Sequence, residues 1–194
     1  LEQHNAVRDA TFNEAQEAGY KVPPSTVRPT YLGNRAESVA GKAALAQQSV
    51  DENQIVTDNL ARRAAGLPQG APITKQALDA RIKQASEPYR QVSAISNLAK
   101  NALQRLQDAR SESRLQWQHY ERVPDARRQA QAADKRAETL ERVLEREASR
   151  AGKPDLIPQL RQARTEIAKI NDVKRALNEA DGHVDAHDIG RAYD

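Results

Sequence analysis

The stretch LDARIKQASEPYRQVSAISNLAKNALQRLQDARSESRLQWQHY, from Leu78 to Tyr120, decides the fold class. Its apolar residues Leu78, Ile82, Ala85, Tyr89, Val92, Ile95, Ala99, Leu103 and Leu106 recur mostly at steps of three and four, which lines them along one helix face. Past Leu106 the stripe continues through small residues and closes on Trp117 and Tyr120. Pro88 lies early in the run. Proline deletes a ladder hydrogen bond and crowds the preceding turn, so either the helix kinks or a new one starts with Pro88 in its first turn. The stripe passes Pro88 in phase, and the sequence therefore predicts a kinked, continuous strut. The roughly 33 residues beyond it would span on the order of 50 Å at ~1.5 Å per residue.

Downstream, the strut ends at Val123-Pro124-Asp125. The next helix runs from Asp125 to Arg150, with Ala126, Ala130, Ala133, Ala137, Leu140, Leu144, Ala148 and Ala151 in phase. An alanine seam lets a partner helix approach closely, and it contributes shape more than buried area. Gly152-Lys153-Pro154 marks a second reversal, with glycine past the helix end and proline just beyond. The last long helix uses Leu156, Leu160, Ala163, Ile167, Ile170, Val173 and Leu177. Three helices joined by tight turns predict an all-α, elongated antiparallel bundle.

Upstream, residues 3–18 form a short amphipathic helix stopped by Gly19. The segment from Tyr20 to Pro29 then carries three prolines in seven positions. It reads either as a surface linker or as a stiff, polyproline-like arm laid along a neighbouring subunit, with Tyr20, Val22, Val27, Tyr31 and Leu32 as partner-binding anchors. Asn34 is placed to cap one helix ending near Gln48, and Asp51 to cap a second one ending at Gly66. Leu67 to Pro72 breaks the pattern, and Thr74 is placed to cap the helix that reaches Ala77 and Leu78. These signals divide the chain into 1–33 (short helix and Pro-rich extended arm), 34–72 (short-helix pair), 73–181 (long bundle) and 182–194 (tail).

Composition agrees with a thin helical core. Apolar residues make up 38% of the 194, with one Phe, one Trp and no Met, so Ala, Leu, Ile and Val must fill it. The net charge of +3 and isoelectric point near 9.2 give a weak lean toward anionic partners and no strong case for nucleic acid. Without cysteine there are neither disulfides nor thiolate metal sites. No apolar run reaches the length of a membrane span and no signal-peptide pattern opens the chain. A chain that begins at Leu1 and contains no methionine reads as part of a longer product.

Chemistry-bearing motifs are sparse. Gly41-Lys42 lacks the partners of a phosphate loop, since Ala36 stands where glycine and Ala43 where serine or threonine would be needed. His183 and His187, with Asp185 and Asp188 beside them, have a metal-ligand spacing only if all are helical, and with Asp185 as a helix cap the pair does not share a face. They read as a solvated polar terminus. Trp117 to Tyr120 reads as packing at a bundle tip, and pairs such as Arg62-Arg63 as a solvated charged face. No nucleophile elbow and no paired carboxylates are readable, so the expectation is no enzyme, cofactor, metal or small-molecule substrate.

Two stretches carry a resemblance. The first runs from Gly19 to Pro29 and continues through Arg35 to Lys42, Asn53-Gln54, Thr57, Leu60-Ala61 and Gly66-Leu67-Pro68. The second comprises Leu160 to Lys169, Ala176 to Ala180 and Val184-Asp185-Ala186. Together they resemble blocks in large, virion-associated structural or ejection-type proteins of tailed bacteriophages and prophages. In those proteins the second block runs on into a further segment, which implies that the native chain extends past Asp194. The resemblance implies a virion component made in the bacterial host cytoplasm. It would be a homo-oligomer that meets tail, portal or capsid proteins. Two other readings remain open, a DNA-binding ejection protein and a helical spacer of a larger polyvalent phage protein with catalysis elsewhere.

Overall fold

The computed structural model describes residues 2–21, 42–119 and 122–186. The described residues are mostly helical, in seven helices: α1 (Glu2–Glu17), α2 (Lys42–Ala64), α3 (Lys75–Ala85), α4 (Glu87–Ser93), α5 (Asn97–Gln118), α6 (Ala126–Arg150) and α7 (Leu156–Ala176). No strand occurs among them. An isolated antiparallel bridge joins Leu177 and Val184.

Two expectations are corrected. α2 continues through Asp51, where the sequence suggested a cap between two helices. Nothing around Ser49-Val50-Asp51 forces the backbone out of the helix, and a capping residue type without a breaker does not end one. The strut, likewise, is three helices. α3 ends at Ala85, and α4 begins with Pro88 in its first turn, where no amide donor is needed. A second break comes at Ser96, whose extended backbone (φ −154°, ψ 158°) and side-chain oxygen cap α5 by accepting from the Ala99 amide at 3.0 Å. α5 therefore spans about 33 Å rather than about 50 Å.

Other local signals act as read. Thr74 Oγ1 accepts from the Ala77 amide at 3.1 Å and caps α3. Gly66 ends α2 with φ +65°, and its Leu67 neighbour donates back to the Arg62 carbonyl at 2.8 Å. A Cβ at Gly66 would meet the flexible Arg81 guanidinium, which can shift, so it is the left-handed backbone that asks for glycine.

The chain divides into two compact units, 1–81 with 169–194, and 82–168. Within the first unit the C-terminal turn bonds to α2. In the second unit, the alanine face of α6 is buried at Ala126, Ala130, Ala133, Ala137, Leu144 and Ala148. α5 and α6 run in opposite senses, as the pairs Ser96–Glu147, Glu112–Arg136 and Ser113–Asp134 show. Leu106 and Leu144 are fully buried in its core, and Leu103 packs against that core only partly covered. Trp117 is not buried at the end of the stripe. It is 39% exposed and donates its indole N–H to Asp134 at 3.2 Å.

Candidate interaction site

The polar arrangement with the most convergent geometry lies in the first unit, on α2. Asn53, Gln54, Thr57 and Asp58 fall within one and a half turns, so they share a side of the helix. Asp58 is only 5% exposed. Its Oδ1 accepts from the Gln54 side-chain amide and from the Val184 backbone amide, both at 3.0 Å, and its Oδ2 lies 2.7 Å from His183 Nδ1. Gln54 also donates to the Val184 carbonyl at 3.0 Å. A buried carboxylate left without donors would cost several kcal/mol, so these groups are needed together.

The partners come from a tight turn after α7. Asn178 donates its amide to the His183 carbonyl at 2.9 Å, and Asp185 donates to the Ala176 carbonyl at 2.8 Å. Asp181 Oδ1 accepts the His183 amide at 2.9 Å, while the Asn178 side chain reaches Asp181 at 2.8 Å. The turn thus presents the His183 ring and the Val184 backbone side by side. The Asp58 hydrogen bond, and then its charge, hold the His183 imidazole above its ordinary pKa of 6.5.

The same helix receives the chain after α1. The Thr57 hydroxyl donates to the Asn53 carbonyl at 3.0 Å, which leaves its oxygen to accept from Tyr20 OH at 3.0 Å. Asn53 pairs reciprocally with the Lys21 backbone, accepting at 2.7 Å and donating at 3.0 Å. Lys21 Nζ also reaches Glu52 at 2.5 Å. Beside these contacts lies a mainly apolar cleft of about 200 Å³, with Leu60, Ala61, Val173 and Ala186 in its walls and Lys169 and Asp172 among its lining groups.

The predicted residues fare differently. Tyr20 is half-buried against its own α2; Val22, Val27, Tyr31 and Leu32 lie outside the described residues. So do His187 and Tyr120. His183 is committed to Asp58, and among the described residues no group of three potential ligands could hold a metal ion. Sequence reasoning missed Asp58, whose only local signal is an acidic residue on the side of α2 that also carries Gln54, Thr57 and Ala61. Arg62 is likewise no free surface charge, since it donates to the Ala71 carbonyl at 2.7 Å. No protein-family model, curated protein or solved structure matches the chain.

The second unit holds its own polar cluster. Glu141, 8% exposed, is shared by the guanidinium groups of Arg110 and Arg164. Arg110 also donates to Tyr89 OH at 3.1 Å and lies 5.4 Å from that ring's centroid. Burial pushes the Tyr89 phenol above its ordinary pKa. Every group in this cluster finds a partner inside it, so it reads as internal fastening.

Proposed function

We propose that the chain is a structural component of a tailed-phage virion, a homo-oligomerising or adaptor protein at the tail or portal end or inside the head that supports assembly or DNA delivery. In this reading its long helices form an elongated antiparallel bundle, and the Pro-rich extended arm crosses onto other virion proteins. Tyr20 fixes the root of the arm on α2, while Val22, Val27, Tyr31 and Leu32 anchor it to the partner. The protein works by shape and contact, with no catalysis, cofactor or small-molecule substrate.

One observation supports this reading above the others. The two stretches that carry the phage resemblance are distant in sequence, yet Gln54 from the first and Val184 from the second, 130 residues apart, bond directly at 3.0 Å. Tyr20, Thr57, Leu60, Ala61, Lys169 and Ala186, all within those stretches, line one cleft. In this reading the two stretches act together as one folded part of the virion protein.

Mass spectrometry of particles purified from a host carrying this chain's prophage tests the reading. The chain should be present at a fixed ratio to the major capsid protein. Its absence from washed particles would overturn the assignment. Tight duplex-DNA binding that falls steeply with salt would move the function to the ejection reading.

A further inference from the structure

The C-terminal turn, residues 177–186, is fastened to α2 by the buried Asp58 carboxylate and by the Gln54 side-chain amide, which donates to the Val184 carbonyl. Asp58 takes the Val184 amide and the His183 ring at once, and Val184 itself is 1% exposed beneath them. The backbone of the turn is otherwise closed on itself and on the end of α7 by the bonds of Asn178, Asp181 and Asp185. Of the groups that join turn to helix, the imidazole is the one whose ordinary pKa lies near neutrality. Its ring is about half exposed, so protons reach it freely.

Among the described residues, three charged groups act on it. Asp58 and Arg62 come from α2, and Asp181 from the turn itself. Two carboxylates against one guanidinium favour the imidazolium. When the ring loses its proton, the ion pair vanishes. The tautomer carrying hydrogen on Nδ1 keeps a weaker, neutral hydrogen bond to Asp58, while in the tautomer carrying it on Nε2 the contact turns repulsive.

We propose that Asp58 and His183 form a pH-sensitive latch, which holds residues 177–186 on α2 while the imidazole is protonated and slackens when it is neutral. Because the folded pKa lies above the unfolded value, the latch is fully engaged below about pH 6.5 and weakens as pH rises through the raised value. Ala186, two residues past Val184, lines the apolar cleft, so slackening the turn also loosens one wall of that cleft. The inference rests on the geometry of the first unit alone and does not depend on the virion reading.

The test uses the full chain and amide hydrogen exchange, corrected for the intrinsic pH dependence of exchange. Between pH 5.5 and pH 8.5, protection of the Val184 and Asp185 amides should fall about three- to tenfold, while amides of α5 and α6 change together with global stability. In His183→Gln, which keeps a hydrogen-bonding side chain but cannot ionise, protection should be low and flat over the same range. A nuclear magnetic resonance titration of the His183 ring should show a midpoint above 6.5, and Asp58→Asn should lower that midpoint. The proposal is overturned if wild type and His183→Gln share one pH profile, or if the ring titrates at or below 6.5.

Discussion

Asp58 in the first unit and Glu141 in the second are both buried carboxylates, yet their donors differ in kind. Asp58 is satisfied by a side-chain amide, a backbone amide and one imidazole, whereas Glu141 sits between two guanidinium groups. Arginine keeps its charge at any pH a protein survives, so the donors to Glu141 do not lose their charge near neutrality. An imidazole loses its charge near neutrality. The comparison teaches that two buried carboxylates in one chain can differ in whether the charge of their donors depends on pH near neutrality.

The second unit also carries the larger apolar load. Leu144 is fully buried in the α6 seam, so Leu144→Ala should cost about 2–5 kcal/mol by chemical denaturation followed at Trp117. Leu103→Ala, at a partly exposed site beside that core, should cost visibly less. Equal losses at the two positions would show that burial does not separate them.

A smaller effect is expected at the cluster itself. Glu141→Gln leaves two guanidinium groups without their counter-charge, but Arg110 and Arg164 are 30% and 49% exposed and water takes up part of the loss. The expected cost is about 1–3 kcal/mol, below the ~3–5 kcal/mol of a fully buried broken pair. A neutral result would reduce the cluster to a surface ion pair.

Mild acidification should have the smallest effect. The Arg161 hydrogen bond holds the Glu145 carboxyl below its ordinary pKa, and the Ser96 hydroxyl does the same for Glu147. Both groups stabilise the second unit above about pH 4.5, and that contribution is lost as pH falls through their lowered values. Thermal unfolding followed at Trp117 should therefore shift down by a few degrees between pH 5 and pH 3.5. No shift there would remove the contrast with the first unit.

Much of the fold was legible because it rests on periodicity. The alanine face of α6 repeats at helical spacing, and Gly152 with Pro154 marks its end in plain residue types. The breaks in the strut were harder to read. Tyr89, Val92 and Ala99 keep the helical phase across Ser96, so an apolar stripe cannot report a cap whose signal is one serine hydroxyl. Asp58 was harder still. Its meaning depends on Val184, 126 residues away, and no local pattern encodes a long-range acceptor. The His183 reading was incomplete for the same reason, since the ring is about half exposed at the polar turn but its partner lies on α2.

The central structural claim is that α2 and the C-terminal turn form one cooperative unit despite their separation along the chain. Residue-resolved amide exchange of the full chain at pH 5.5, with increasing denaturant, tests it most directly. The account predicts that the amides of residues 53–61 and those of Val184 and Asp185 merge onto one opening free energy. Val184 and Asp185 exchanging at the rate of unstructured peptide, while 53–61 remain protected, would contradict it.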